Sequence, residues 1–132
     1  MSKFAPYNYG REHNKGGEPG RIPNFIDNEL SESSSKSWIE IRDPATDVVL
    51  SYVPESTPAE LKAAVDSAKR AFPGWRNTSI IARQQCVFNL VALIRQNWDD
   101  LAYCITLEQG KTFADARGDV YRGLQVAEVC TP

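Results

Sequence analysis

The pattern of apolar and polar positions divides the chain into three stretches. Residues 1–23 show no hydrophobic period, and Gly16, Gly17, Pro19, Gly20 and Pro23 break them further. An extended or flexible arm is expected there. Residues 24–54 read as short strands. Asn24 to Leu30 predicts a tight hairpin with Asp27-Asn28 as its turn. A serine-rich loop, Ser31 to Ser37, follows. Trp38, Ile39 and Ile41, interleaved with Glu40 and Arg42, start the next strand. Asp43-Pro44-Ala45-Thr46-Asp47 is a turn, because Pro44 fixes φ and Asp43 can bond its own backbone two residues on. Val48 to Val53 pairs back, and Pro54 ends that strand.

From residue 57 the period becomes helical. Thr57-Pro58-Ala59-Glu60 is a capping box with proline at the first helical position. Leu61, Ala64, Val65, Ala68 and Phe72 then share one face, and Pro73-Gly74 is expected to stop the helix. A second helix should start near Ser79, with Val87, Leu90, Val91, Ile94 and Trp98 on its face. A third should run from about Asp99 to Gln109, burying Leu101, Ala102 and Ile105, with Cys104 a further candidate. Gly110 is its C-terminal cap. A fourth begins near Thr112 and carries Phe113, Ala116, Val120, Leu124 and Ala127 at helical spacing. The fold class is α+β: short N-terminal strands, then about four helices.

Four helices and one small sheet leave sizeable apolar faces without a cover. Gly118 and Gly123 lie inside the fourth helix, where each costs roughly 1 kcal/mol relative to alanine. The apolar face of that helix is still running when the sequence stops at Pro132. The expectation is a piece of something larger: an arm over 1–23 and an incomplete domain over 24–132.

Composition narrows the function classes. The chain has 132 residues, 15 Lys plus Arg against 17 Asp plus Glu, and a net charge of −2. That argues against a nucleic-acid binder working by phosphate neutralisation. A hydrophobic fraction of 42% fits a globular chain and excludes full disorder. No apolar run approaches the ~20 residues of a membrane span, so no membrane partner is expected. The first thirty residues lack the apolar core of a secretory signal, and Glu12 and Glu18 spoil a mitochondrial transit peptide. Three cysteines without such a signal favour reduced thiols over a disulfide framework.

Most candidate site chemistry reduces to structure. Gly110-Lys111-Thr112 imitates the end of a phosphate-binding loop, but Ile105 stands where its first glycine belongs, and no strand precedes it. Gly16-Gly17-Glu18-Pro19-Gly20 does not match the dinucleotide fingerprint. The spacing of Cys86, Cys104 and Cys130 is not that of a zinc site, and each reads as a small hydrophobe. His13, the only histidine, sits in the arm and reads as solvated. Asn77-Thr78-Ser79 matches a glycosylation sequon but reads as a helix-start turn. The Asp99-Asp100 pair is explained by the attraction of carboxylates to a helix N-terminus.

Several segments resemble the aldehyde dehydrogenase superfamily. They are Asp43-Pro44-Ala45-Thr46 with Val48-Val49-Leu50 and Val53-Pro54, then Ala71-Phe72-Pro73-Gly74-Trp75, then Arg83-Gln84-Gln85. Leu107-Glu108-Gln109-Gly110-Lys111-Thr112 is similar to the superfamily's glutamate-x-glycine-lysine segment. The run from Gly118 to Glu128 and the opening Asn24-Phe25-Ile26-Asp27 are most similar to the CoA-acylating methylmalonate-semialdehyde branch. The resemblance covers about residues 24–130 in one order. Asp43 and Val48 depart from the usual asparagine and glutamate, both at a turn.

This resemblance implies the N-terminal part of an α/β NAD-binding domain. It also implies a reaction. A cysteine thiolate attacks the aldehyde, hydride passes to NAD, and the thioester is transferred to CoA with loss of carbon dioxide. Methylmalonate or malonate semialdehyde would become propionyl- or acetyl-CoA. The family's nucleophile, oxyanion-hole asparagine, Rossmann strands and general base all lie later than residue 132, so no position here inherits them. Neither NAD nor CoA is expected to bind this chain alone, and alone it is expected to be inactive. The resemblance further implies a homo-oligomeric parent in the mitochondrial matrix, while the missing transit peptide leaves a cytoplasmic location open.

One site residue carries over: Arg122, in Asp119-Val120-Tyr121-Arg122-Gly123, is expected to bind the substrate carboxylate. Guanidinium pairs with carboxylate through two parallel N–H···O bonds. Chemistry alone reads Arg122 as a solvent-facing helix residue. Two rival readings remain at this level: a non-catalytic interaction protein derived from the same fold, and a piece of a hydrolytic aldehyde dehydrogenase.

Overall fold

A computed structural model describes residues 19–130. Its elements are β1 (Gly20–Arg21), β2 (Asn24–Ile26), β3 (Glu29–Ser31), β4 (Trp38–Arg42) and β5 (Val49–Pro54), then α1 (Pro58–Asn77), α2 (Ile80–Gln96), α3 (Trp98–Gln109) and α4 (Phe113–Val129). This is the α+β arrangement that the period change implies. His13, Gly16 and Gly17 lie outside the described residues. Among those described, no helix is long and apolar enough to cross a membrane.

The strands make two small sheets. β1, β5 and β4 form one, in that order; β1 runs parallel to β5, and β4 antiparallel with a bulge between Ile41 and Arg42. β2 and β3 form the hairpin that Asp27-Asn28 predicts, with positive φ at both residues (56° and 63°). Two consecutive left-handed residues match the right-handed twist of the flanking strands. In the β4–β5 turn the Asp43 carboxylate accepts from the Ala45 N–H and the Thr46 hydroxyl, both at 2.9 Å. The flexible-arm expectation is corrected at its end, since Gly20–Arg21 is a strand opposite Ser51 and Tyr52. The Ile22 N–H extends this pairing to the Tyr52 carbonyl at 2.8 Å. Edge pairing of this kind uses main-chain groups and needs no apolar period.

The helix starts follow their caps. Thr57 and Glu60 exchange both bonds of the capping box at α1, Ser79 caps α2 through the Ala82 N–H, and Thr112 caps α4 through the Asp115 N–H. Two boundaries differ from expectation. α1 does not stop at Pro73-Gly74 but continues to Asn77. Proline there removes only the bond to the Lys69 carbonyl, and residues 69–73 are exposed, which leaves that carbonyl to water. The helix ends where the Thr78 N–H and hydroxyl turn back to the Trp75 and Gly74 carbonyls. Trp98 opens α3 rather than closing the face of α2.

The core lies between α3 and α4. Ala102, Ala116 and Val120 are buried, with Ile94, Trp98 and Ile105 packed against them. Ala102 and Ala116 are fully covered and small, so the two helices approach closely. Leu124 and Val91 are also buried. Leu90, Leu101 and Phe113 are not: each leaves two-fifths or more of its surface exposed. α1 buries no residue at all.

Candidate functional site

The residues that carry chemistry gather where α3 hands over to α4. Gly110 ends α3 in the left-handed conformation (φ 72°). A Cβ at Gly110 would lie 2.7 Å from Pro44 Cγ, so glycine is what lets the helix end meet the β4–β5 turn. Two of the segments that carry the family resemblance touch here.

Past the cap, Lys111 reaches over the first turns of α4 and pairs with the Asp119 carboxylate. Asp119 in turn accepts from Arg122 Nη1 at 2.7 Å, one helical turn on. The Lys111 hydrogen bond, followed by the charges of Lys111 and Arg122, holds the Asp119 carboxyl below its ordinary range. The Asp119 side chain is only 29% exposed, whereas that of Arg122 is 75% exposed. The arrangement is an anchored carboxylate holding one nitrogen of an outward-facing guanidinium. Its remaining N–H edge suits a planar anion such as a carboxylate.

The other motifs sit as structural elements, except that Cys86 and Cys130 are exposed and do not pack as the small hydrophobes expected of them. Lys111 is spent on Asp119, and Gly110 is a helix cap. Asp99 pairs with Arg117 at the start of α3, and Asn77 to Ser79 form the corner between α1 and α2. Cys86 and Cys130 are exposed and far apart in sequence, while Cys104 is half-buried. Burial, and then Glu108 and Asp100, pushes the Cys104 thiol up, away from the thiolate a nucleophile needs. Among the described residues no group of three His, Cys, Asp or Glu side chains has metal-binding geometry. β5 enters α1 through Glu55-Ser56-Thr57, a junction without the glycine-rich turn of the dinucleotide fingerprint.

The structure joins Arg122, the residue singled out by the resemblance, to Asp119 and Lys111, neither of which the sequence reading named as a site residue. Asp119 stands at the i,i+3 spacing that signals helix pairing with Arg122. Lys111 gives no periodic signal, because its path to Asp119 crosses the cap.

Comparison with known proteins gives the family. Residues 30–131 match the model of the aldehyde dehydrogenase family. The mouse mitochondrial methylmalonate-semialdehyde/malonate-semialdehyde dehydrogenase [acylating] is 57% identical over 104 residues, which are 79% of this chain and 19% of that protein. The Arabidopsis thaliana methylmalonate-semialdehyde dehydrogenase [acylating] is 52% identical over 110 residues, 83% of this chain and 18% of its own length. The chain thus spans about a fifth of the length of these relatives. Among solved structures, Escherichia coli lactaldehyde dehydrogenase superposes with a TM-score of 0.77 at 28% identity, over 81% of this chain and 22% of its own. A C291A mutant of Pseudomonas syringae aldehyde dehydrogenase C, solved with NAD+ and octanal, gives 0.79 at 31% identity, over 82% and 22%. With the fold, the motif segments and the family model in agreement over most of its length, this chain belongs to the aldehyde dehydrogenase family.

Proposed function

We propose that this chain is the N-terminal segment of a CoA-acylating methylmalonate-semialdehyde/malonate-semialdehyde dehydrogenase, and that its own contribution to the reaction is to bind the substrate carboxylate through Arg122. The observation that carries the reading is the exposed guanidinium of Arg122, tied by one nitrogen to Asp119, in a segment similar to that branch. When bound, NAD would accept the hydride and CoA the acyl group. Nucleophile, oxyanion donor and cofactor fold belong to the parts of the parent enzyme outside this chain. Relatives at 52–57% identity are named mitochondrial, which supports the mitochondrial matrix as the parent's location. A homo-oligomeric parent belongs to the same reading.

The test uses a complete enzyme carrying this segment and a matched pair of aldehydes. Methylmalonate semialdehyde is propionaldehyde with one added carboxylate. A hydrogen-bonded charge contributes about 1.5–3 kcal/mol. Arg122→Ala should therefore lower kcat/KM for the carboxylated aldehyde roughly 30-fold. Propionaldehyde should change little. Arg122→Lys keeps the charge but loses the fork, and should remain impaired. Equal losses on both substrates would make Arg122 structural, and no loss on either would return it to a solvent-facing helix residue.

A further inference from the structure

We infer that Asp119 is a positioning residue for the carboxylate site: clamped by Lys111, it holds the Arg122 guanidinium with its outer edge turned to the substrate. The inference rests on the reading of Arg122 as the carboxylate binder, and it assigns a role to a residue that does not itself touch substrate.

Three observations carry it. First, Arg122 is gripped by a single nitrogen, Nη1, at 2.7 Å from Asp119 Oδ1, so the rest of the fork remains for a second carboxylate. The Nε and Nη2 edge keeps two parallel N–H groups, the geometry that a planar carboxylate takes. Second, Asp119 is itself fixed. Its other oxygen, Oδ2, takes the Lys111 ammonium, which comes from the turn before α4, outside the helix that carries Asp119 and Arg122. The acceptor that orients the guanidinium is thereby tied at two points, helix and turn. Third, the cluster has the right charge. Lys111 and Asp119 neutralise each other, and the trio keeps one net positive charge at its exposed end, on Arg122. The Lys111 ammonium offsets the repulsion that Asp119 would exert on an incoming carboxylate. A long, exposed arginine loses rotamer freedom when it binds, and holding it beforehand removes part of that loss.

The experiment compares Asp119→Asn, Arg122→Ala and the double variant in a complete enzyme carrying this segment, with methylmalonate semialdehyde and propionaldehyde. Asparagine keeps the shape and loses the charge that binds Lys111 and Arg122. KM for the carboxylated aldehyde should rise roughly fivefold in Asp119→Asn, with kcat little changed. Propionaldehyde kinetics should stay as in the parent enzyme and so report correct folding. Asp119→Asn should add nothing further in the Arg122→Ala background, since both act through one contact. An equal loss on both aldehydes would make Asp119 a structural residue and overturn the inference. A lowered or unchanged KM for the carboxylated aldehyde, with Arg122→Ala still selective for it, would overturn the inference and leave the Arg122 reading standing. If Arg122→Ala shows no preference between the two aldehydes, the carboxylate reading falls and the role of Asp119 falls with it.

Discussion

Glu60 joins the serine-rich loop to the start of α1 through one carboxylate. Its Oε2 accepts from the Thr57 N–H at 2.7 Å and from the Ser33 hydroxyl at 3.0 Å, and its Oε1 accepts from the Ser34 N–H at 2.7 Å. The first of these closes the capping box of α1; the other two pin the serine-rich loop to the start of that helix. The Thr57 backbone bond, followed by that of Ser34, pulls the Glu60 pKa from 4.5 to about 2. A carboxyl whose pKa is depressed on folding stabilises the fold above its unfolded value. That stabilisation is present above pH 4.5 and is lost as pH falls toward 2. Helical circular dichroism should therefore drop between those values in the parent chain, and Glu60→Gln should flatten the drop while lowering helicity at neutral pH. Parallel acid curves for the two proteins would refute this. The box itself is visible in Thr57-Pro58-Ala59-Glu60. The bonds from Ser33 and Ser34 are not, because they join residues 26 and 27 positions apart through a loop with no period.

At the scale of elements, the α3–α4 junction depends on one residue without a side chain. Gly110 combines a left-handed backbone with the closest approach of Pro44, at 2.7 Å from a would-be Cβ. Left-handed backbone alone costs a residue with a Cβ about 1–2 kcal/mol, and the clash adds to it. Gly110→Ala should lower unfolding stability by at least that much, read as a shifted denaturant midpoint at unchanged slope. Pro44→Ala in the same chain removes the Cγ contact but not the backbone strain, so it should restore only part of the loss. Full restoration would place the whole effect in the clash.

The boundaries that the sequence announces are those set by local chemistry: Thr57, Ser79 and Thr112 as N-caps, Gly110 as a C-cap, and Asp27-Asn28 as a hairpin turn. Readings that needed tertiary context went differently. Pro73 breaks a helix only where its orphaned carbonyl has no other partner, and here that carbonyl lies on an exposed stretch. Gly20–Arg21 becomes a strand because β5 offers it an edge, which no pattern within residues 1–23 records. Within the candidate site, Arg122 is singled out by the family resemblance and not by spacing; the i,i+3 spacing signals only its pairing with Asp119, and Lys111 is brought in by the turn.

Across the whole molecule, the apolar faces outnumber the elements available to cover them. Leu61 is 65% exposed on α1, Ile81 79% on α2 and Val129 80% on α4. Phe72, Trp75 and Val126 are further large apolar side chains left about half exposed or more. Gly118 and Gly123 have no atom within 4 Å of a would-be Cβ, so the close approach that would justify a helix-interior glycine is not made within the described residues. Contiguous exposed apolar surface beyond a few hundred Å² marks a site for a partner or a route to aggregation. The 132-residue chain on its own should therefore be marginally stable and self-associating. Its sedimentation should show species above the monomer mass of 14.7 kDa at micromolar concentration. Its thermal midpoint should rise with protein concentration, as mass action requires when association stabilises the folded state. Replacing Ile81 and Val129 with lysine should lower the association without weakening the core of Ala102, Ala116 and Val120, because neither residue packs there. A sharp, concentration-independent transition of a monomer would show that the chain satisfies itself and that these faces need no cover.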